Sequence, residues 1–233
     1  MAVTGFASAS YPVVDDPLGT NVTSYTVMGW WYFTASTVNQ TIFSRGKNTH
    51  NESITHGVYR STGELRFDDY NPFGGVLMSG VVDLVNSWNH IAFVRSTVSP
   101  TRQIFINGIS VASENNSEAY GGQHSRQFAI GRTLRVMTAS YYPATYGTSF
   151  DSRVYARPVP VGEILHIVNM RGKDIPYDAL LRWGFQDGPA GVSLTGGVVA
   201  DHTANGNHGV VQGTGLVTAQ DPFRTVRPTV WRI

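Results

Sequence analysis

The sequence predicts an all-β protein: a two-sheet antiparallel β-sandwich of jelly-roll type, with one short helix and extended terminal arms. The apolar stretches are short and rich in Val, Ile, Phe, Tyr and Thr, and Gly, Asn, Pro and Ser separate them. This is the punctuation of strands and turns rather than of helices. About a dozen such strands, with turns every ten or so residues, are typical of a sandwich or barrel.

Alternation along the chain gives the individual strands. Residues 25–33 are apolar on both alternating faces, which indicates a strand covered on both sides. In residues 64–68, Leu65 and Phe67 are expected to point inward, whereas Glu64 and Arg66 point outward. The same criteria predict further strands at 41–45, 57–60, 88–95, 103–106, 109–112, 128–131, 152–156, 180–185 and 209–212.

Two local signals fix the connections. Asn107-Gly108 tolerates the positive φ angles of a type I′ turn, so residues 103–112 are predicted to form a hairpin. One segment stands out as helical, because its apolar residues recur at one-face helical spacing: Val161, Ile164, Leu165 and Val168. Pro160 precedes this segment and Gly172 follows it, as expected for the two ends of a helix.

Composition excludes several classes of protein. The 233 residues include 17 Lys and Arg against 16 Asp and Glu, a formal net charge of +1, so no strong field favours nucleic acid. Only 14% of residues are charged and 41% are hydrophobic, which argues against disorder and coiled coils. The absence of cysteine excludes disulfides, thiolate zinc sites and cysteine nucleophiles. No secretory signal and no membrane-spanning run are visible, so no membrane partner is expected.

The ordered succession of these segments resembles a laminin-G-like domain of the concanavalin A-like lectin/glucanase superfamily. The resemblance extends over roughly residues 20–212. It is carried by YTVMGWWY (25–32), TIFSRGK (41–47), GELRF (63–67), WNHIAF (88–93), QIFING (103–108), FAIGR (128–132) and FDSRVYARPVPVGEI (150–164). LLRWGFQDG (180–188) with DHTANGNHG (201–209) resembles a strand and turn often found beside such domains.

The resemblance implies two antiparallel sheets in jelly-roll topology. The chain as a whole is predicted to have three regions: an N-terminal extended arm (1–19), the sandwich (20–220) and a C-terminal extended arm (221–233). The resemblance does not imply one function, because this fold hosts lectins, hydrolases and pure interaction modules.

Catalysis is not expected. Hydrolases of the superfamily carry Glu-x-Asp-x-x-Glu on one strand, and this run does not occur here. The nearest carboxylates are those of Glu64, Asp68 and Asp69. Glu64 and Asp68 would lie about 13 Å apart along one strand face, too far for a retaining pair. The sequence therefore predicts a protein that binds and is not an enzyme.

A calcium site is one candidate binding site. Asp201, Asn205 and Asn207 could supply the oxygen ligands that calcium prefers. The alternative is a glycine-assisted loop in which these side chains bond their own backbone. The second interpretation is favoured, and no other cofactor is predicted.

A sugar platform is a second candidate. Tyr141, Tyr142 and Tyr146 lie in loop-like sequence, as do Tyr70 and Phe73, and their rings could stack on pyranose rings. Loop packing or subunit contact would use the same residues, because Tyr is also enriched at protein interfaces. The sequence leaves both open.

The C-terminal tail supplies the context for a function. Residues 221–233 alternate Pro, Arg and large apolar groups, including Arg224, Arg227 and Trp231, and would expose aromatic surface unless they dock. They either pack across their own sandwich or reach a neighbouring subunit. The main prediction is a bacteriophage or viral protein that decorates (cements) a capsid or tail on the virion surface. It would bind major capsid or other virion subunits and form a homo-oligomer, a trimer. The alternative is a lectin-like module that binds host glycans.

Overall fold

The computed structural model describes residues 2–4, 11–19, 22–34, 38–46, 54–70, 75–115, 127–131, 147–173, 178–184, 193–194, 196–212 and 217–219. These residues form sixteen strands and one helix. The predicted all-β class with one short helix is therefore confirmed. No helix in this part of the chain is long and apolar enough to cross a membrane.

The first sheet has eight antiparallel strands: β1 (Ala2–Thr4), β3 (Tyr25–Phe33), β8 (Trp88–Arg95), β9 (Arg102–Ile106), β10 (Ile109–Glu114), β12 (Gly147–Tyr155), β13 (Leu181–Trp183) and β16 (Val217–Ala219). Their order is β10-β9-β8-β3-β12-β1-β16, with β13 also paired to β12. The strand with two apolar faces, β3, lies at the centre between β8 and β12.

The second sheet also has eight antiparallel strands: β2 (Tyr11–Asp15), β4 (Gln40–Arg45), β5 (Ile54–Tyr59), β6 (Glu64–Tyr70), β7 (Val76–Val81), β11 (Gln127–Ile130), β14 (Val198–Val199) and β15 (Gly209–Gln212). Their order is β14-β15-β2-β11-β4-β5-β6-β7.

The main core lies between the two sheets. It is rich in aromatic rings, which pack edge-on or tilted against one another, as between Phe43, Phe67 and Phe93. Leu65 and Phe67 are fully buried in this core, so the predicted inward face of β6 is confirmed. Residue 57 packs against these rings and has to be glycine, because a Cβ there would come within 2.7 Å of Phe43 and Phe93.

The helix α1 (Val161–Met170) forms where the spacing predicts, but only part of the predicted apolar face is buried, and Ile167 joins it. Ile164 and Ile167 are buried, whereas Val161 is 50% and Leu165 is 42% exposed. The reason is tertiary: the helix packs on the outer face of the first sheet, and only the side facing that sheet loses contact with water. Arg171, the C-cap residue after Met170, adopts the left-handed conformation, and Gly172 follows it.

The predicted N-terminal arm (1–19) is wrong where the structure describes it, because it contributes strands to both sheets. β1 pairs with β12 and β16, and β2 pairs with β11 and β15. A strand inserted between two others satisfies its backbone hydrogen bonds on both sides, which a free arm cannot do. The predicted C-terminal arm (221–233) lies outside the described residues.

Candidate functional site

The outer face of the first sheet is largely occupied by the helix. Ile164 and Ile167 of α1 cluster with Met28, Val94 and Phe105, all buried residues. Burying an apolar side chain of this size stabilises the fold by about 1.5–3 kcal/mol. This part of the first sheet is therefore core rather than a binding surface.

A groove remains beside the N-terminal end of α1. It has a volume of about 470 Å³ and is lined mainly by apolar groups, among them Val94, Phe105, Val159 and Val161. Serine and glutamine side chains also line it, but none of the described lining residues is charged. The groove thus offers few of the strong directional hydrogen-bonding groups that a polar ligand needs.

The outer face of the second sheet has a different character. Its centre consists of small side chains that are buried yet lie outside the core clusters: Val13, Val58 and Ala129, with Ser44 alongside. The register confirms their direction, because Ala129 pairs with Val13 and Ser44, while its neighbour Phe128 points into the core. No helix among the described residues packs over this face.

Four charged side chains, which we call the charged row, lie on this face: Glu64, Arg66 and Asp68 of β6, and Arg60 in the turn that joins β5 to β6. They form two pairs. Arg60 Nη1 lies 2.6 Å from Glu64 Oε2, and Arg66 Nε lies 2.5 Å from Asp68 Oδ1. The side chains of Arg60, Glu64 and Arg66 are 29%, 22% and 24% exposed, whereas that of Asp68 is only 3% exposed.

Partly exposed apolar side chains border the charged row on the edge strand β7. Arg66 pairs across the ladder with Met78, and Asp68 pairs with Val76. Met78 is 45% and Val76 is 42% exposed. Charged donors and acceptors therefore stand beside accessible apolar surface, the combination that polar ligands with apolar faces require.

The two carboxylates of the charged row are held separately. Glu64 Oε2 also accepts a hydrogen bond from Thr62 Oγ1 at 2.6 Å, and Asp68 is bound by Arg66. They stand four residues apart on one strand, which corresponds to about 13 Å. Their arrangement matches the spacing expected from the sequence, not that of a retaining carboxylate pair.

Asp201, Asn205 and Asn207 lie together in the loop before β15. The Asp201 carboxylate accepts four hydrogen bonds, from the backbone of Arg182, Thr203 and Asn207 and from the Thr203 hydroxyl. The amide nitrogens of Asn205 and Asn207 donate to backbone carbonyls, including that of Leu180. These are the hydrogen bonds of the self-bonded loop, and the calcium site stays a prediction.

The electrostatics of this loop agree with its hydrogen bonds. Burial raises the pKa of Asp201, but the hydrogen bonds from Arg182, Thr203 and Asn207 outweigh burial, so the pKa lies below its ordinary value. Within the described ranges, no three His, Asp or Glu side chains converge in a group that could hold a metal ion.

The remaining predicted site residues fall outside the described part of the chain: Tyr141, Tyr142, Tyr146, Arg224, Arg227 and Trp231. Phe73 also lies outside it, whereas Tyr70 ends β6, where its backbone pairs with Ile54. The charged row was not predicted as a site. Its signal was present in the sequence, because Glu64, Arg66 and Asp68 alternate along a strand with buried Leu65 and Phe67 between them.

Comparison with known protein families agrees with this architecture. A laminin G family model, described as the concanavalin A-like lectin/glucanases superfamily, matches residues 6–164. No match is found among curated protein sequences.

Three solved structures illustrate the similarity in fold. A Bacteroides ovatus protein named as a candidate carbohydrate-binding protein is 20% identical to this chain, with a TM-score of 0.67. The match covers 94% of this chain and 60% of that protein. This chain thus spans less than two thirds of that protein's length. The CBM40 module of Ruminococcus gnavus IT-sialidase, bound to α2,3 sialyllactose, is 16% identical over 72% of this chain and 98% of the module, with a TM-score of 0.57. The leech intramolecular trans-sialidase is 14% identical over 76% of this chain and 28% of that enzyme, with a TM-score of 0.55.

Proposed function

This chain belongs to the concanavalin A-like lectin/glucanases superfamily, and we propose that it is a carbohydrate-binding module without catalytic activity. One observation carries the proposal: the charged row on the outer face of the second sheet lies beside the exposed side chains of Met78 and Val76.

The chemistry of such a surface suits a sugar. A pyranose ring carries hydroxyl groups that both donate and accept hydrogen bonds, and its C–H faces are apolar. The guanidinium groups of Arg60 and Arg66 supply donors, and the Glu64 carboxylate supplies acceptors. Met78 and Val76 supply apolar contact for a ring lying against the sheet edge.

The structural neighbours support a binding role. The Bacteroides ovatus protein is named as a candidate carbohydrate-binding protein, and the Ruminococcus gnavus module is a sialidase module bound to sialyllactose. None of the similarities described above concerns a virion protein. The predicted decoration of a capsid or tail, its shell-subunit partners, its trimer and its place on the virion surface stay predictions.

The absence of catalysis is part of the proposal. Its support is that Glu64 and Asp68 are engaged by different arginines and lie far apart along β6. A glycosidase needs two carboxyl groups facing one bond, about 5–10 Å apart. Release of reducing sugar from a glucan, lost in a Glu64→Gln variant, would contradict this part.

A glycan array tests binding, and Arg66→Ala tests its site. We expect the wild type to bind members of the array and Arg66→Ala to bind them at least about tenfold more weakly, because charge-assisted hydrogen bonds are lost. The matched control is Arg157→Ala. Arg157 is also partly exposed and paired with carboxylates, those of Glu163 and Asp178, but it lies next to α1 on the other sheet's side.

The outcomes separate function from site. If the wild type binds no glycan, the proposed function is wrong. If Arg66→Ala binds like the wild type, carbohydrate binding stands but the charged row is not its site. Arg66→Ala is expected to unfold at a lower temperature, because buried Asp68 loses its contact with Arg66. Binding is therefore compared at a temperature at which circular dichroism shows both variants to be folded.

A further inference from the structure

We propose that the charged row selects neutral glycans over acidic ones. This inference rests on the proposed carbohydrate binding and concerns the same site. It runs against the ligand named for one structural neighbour, sialyllactose, which carries a carboxylate.

The first argument is the balance of charge. The charged row holds two guanidinium groups and two carboxylates, and each guanidinium is in contact with one carboxylate, at 2.6 Å and 2.5 Å. The formal charges of the row therefore cancel. An acidic sugar would meet no net positive charge from these four side chains, and its carboxylate would approach two others of the same sign.

The second argument is the burial of Asp68. An acidic sugar would be bound most strongly by a guanidinium that donates two parallel hydrogen bonds to the ligand carboxylate. Arg66 would then leave Asp68, whose side chain is only 3% exposed. Removing a guanidinium from a buried carboxylate is costly because the remaining charge is poorly hydrated. Asp68 thus keeps Arg66 from serving a ligand carboxylate.

The same pairs remain suited to hydroxyl groups. A guanidinium has five N–H donors, and Arg60 contacts Glu64 through Nη1. A hydroxyl group can accept from such a donor and donate to the neighbouring carboxylate without separating the pair. Adjacent hydroxyls of a neutral sugar therefore match a guanidinium beside a carboxylate, and no charged contact has to be broken.

Matched sugar probes test this selection. Calorimetry with lactose against sialyllactose, and with galactose oligomers against galacturonate oligomers, compares ligands that differ in the acidic group. We expect the neutral probe of a pair to bind more than about tenfold tighter, with affinity unchanged between about 50 and about 300 mM sodium chloride. Tighter binding of the acidic probes, weakened by salt, would overturn the inference and leave the proposed function standing. Binding of no probe and no array glycan would overturn both.

Charge-removing variants test the cause. Asp68→Asn and Glu64→Gln each remove one negative charge from the row, so each is expected to shift the preference toward the acidic probe and to make binding salt-sensitive. Glu64→Gln alters a partly exposed side chain and keeps the test valid if Asp68→Asn fails to fold. The control is Asp178→Asn, which removes one of the two carboxylates paired with Arg157, away from this face. An unchanged preference in both test variants, or an equal shift in the control, would contradict the inference.

Discussion

Asp201 illustrates how much one side chain fixes at the residue scale. Its two carboxylate oxygens hold the backbone of β13 and of the loop before β15 together, through Arg182, Thr203 and Asn207. The residue types in this loop predicted Asx self-bonding as one of two alternatives. They did not reveal that one carboxylate also reaches Arg182, because that contact spans 19 residues of sequence.

Replacing Asp201 with Asn should destabilise the fold. At pH 7 we expect a loss of about 1–3 kcal/mol, because an amide replaces a carboxylate that accepts four hydrogen bonds. The folded-state pKa is lowered. The stabilisation is therefore present above the unfolded pKa, about 3.9, and is lost as pH falls through the folded value.

Urea unfolding at several pH values measures this effect. The difference between wild type and Asp201→Asn should shrink as the solution becomes acidic. Asp15→Asn is the control, because Asp15 is exposed at the end of β2. Equal unfolding midpoints of wild type and Asp201→Asn at pH 7 would show that the carboxylate does not hold this loop.

The hairpin of β9 and β10 shows what local sequence achieves at the scale of an element. Asn107 and Gly108 have φ angles of 51° and 81°, as the Asn-Gly signal predicts. The tertiary structure adds a constraint that the signal lacks. Leu165 of α1 lies against the turn, and a Cβ on Gly108 would come within 2.3 Å of its side chain.

Two glycine substitutions should therefore have opposite effects. Gly108→Ala should destabilise by about 1 kcal/mol or more, because its positive φ is strained in alanine and its Cβ meets Leu165. Gly162→Ala, in the first turn of α1, should stabilise by about 0.5–1 kcal/mol, since no atom lies within 4 Å of the added Cβ. Thermal unfolding compares the two variants, and a Gly108→Ala variant as stable as the wild type would contradict the packing.

At the scale of the whole molecule, the outer faces of the two sheets differ. The first sheet carries the helix on its outer face, and the second presents the charged row on its own. β16, which precedes the tail residues 221–233, pairs at the edge of the first sheet. The tail is therefore attached to the sheet that does not carry the candidate site.

Deleting residues 221–233 should separate assembly from ligand binding. We expect the shortened chain to bind carbohydrate as the full chain does, because β16 is retained and the charged row belongs to the other sheet. If the tail reaches a neighbouring subunit, the shortened chain should have a lower mass by light scattering. Loss of glycan binding with the fold intact would instead make the tail part of the binding surface.

The sequence by itself determined most of the longer strands, the hairpin turn at 107–108 and the presence of the helix, because alternation, turn chemistry and helical spacing act between near neighbours. The tertiary structure alone decided that residues 2–4 and 11–15 enter the sheets, and that Ile167 rather than Leu165 is buried. It also placed Met78 beside Arg66. These outcomes depend on pairing and burial between segments distant in sequence, which local patterns do not encode.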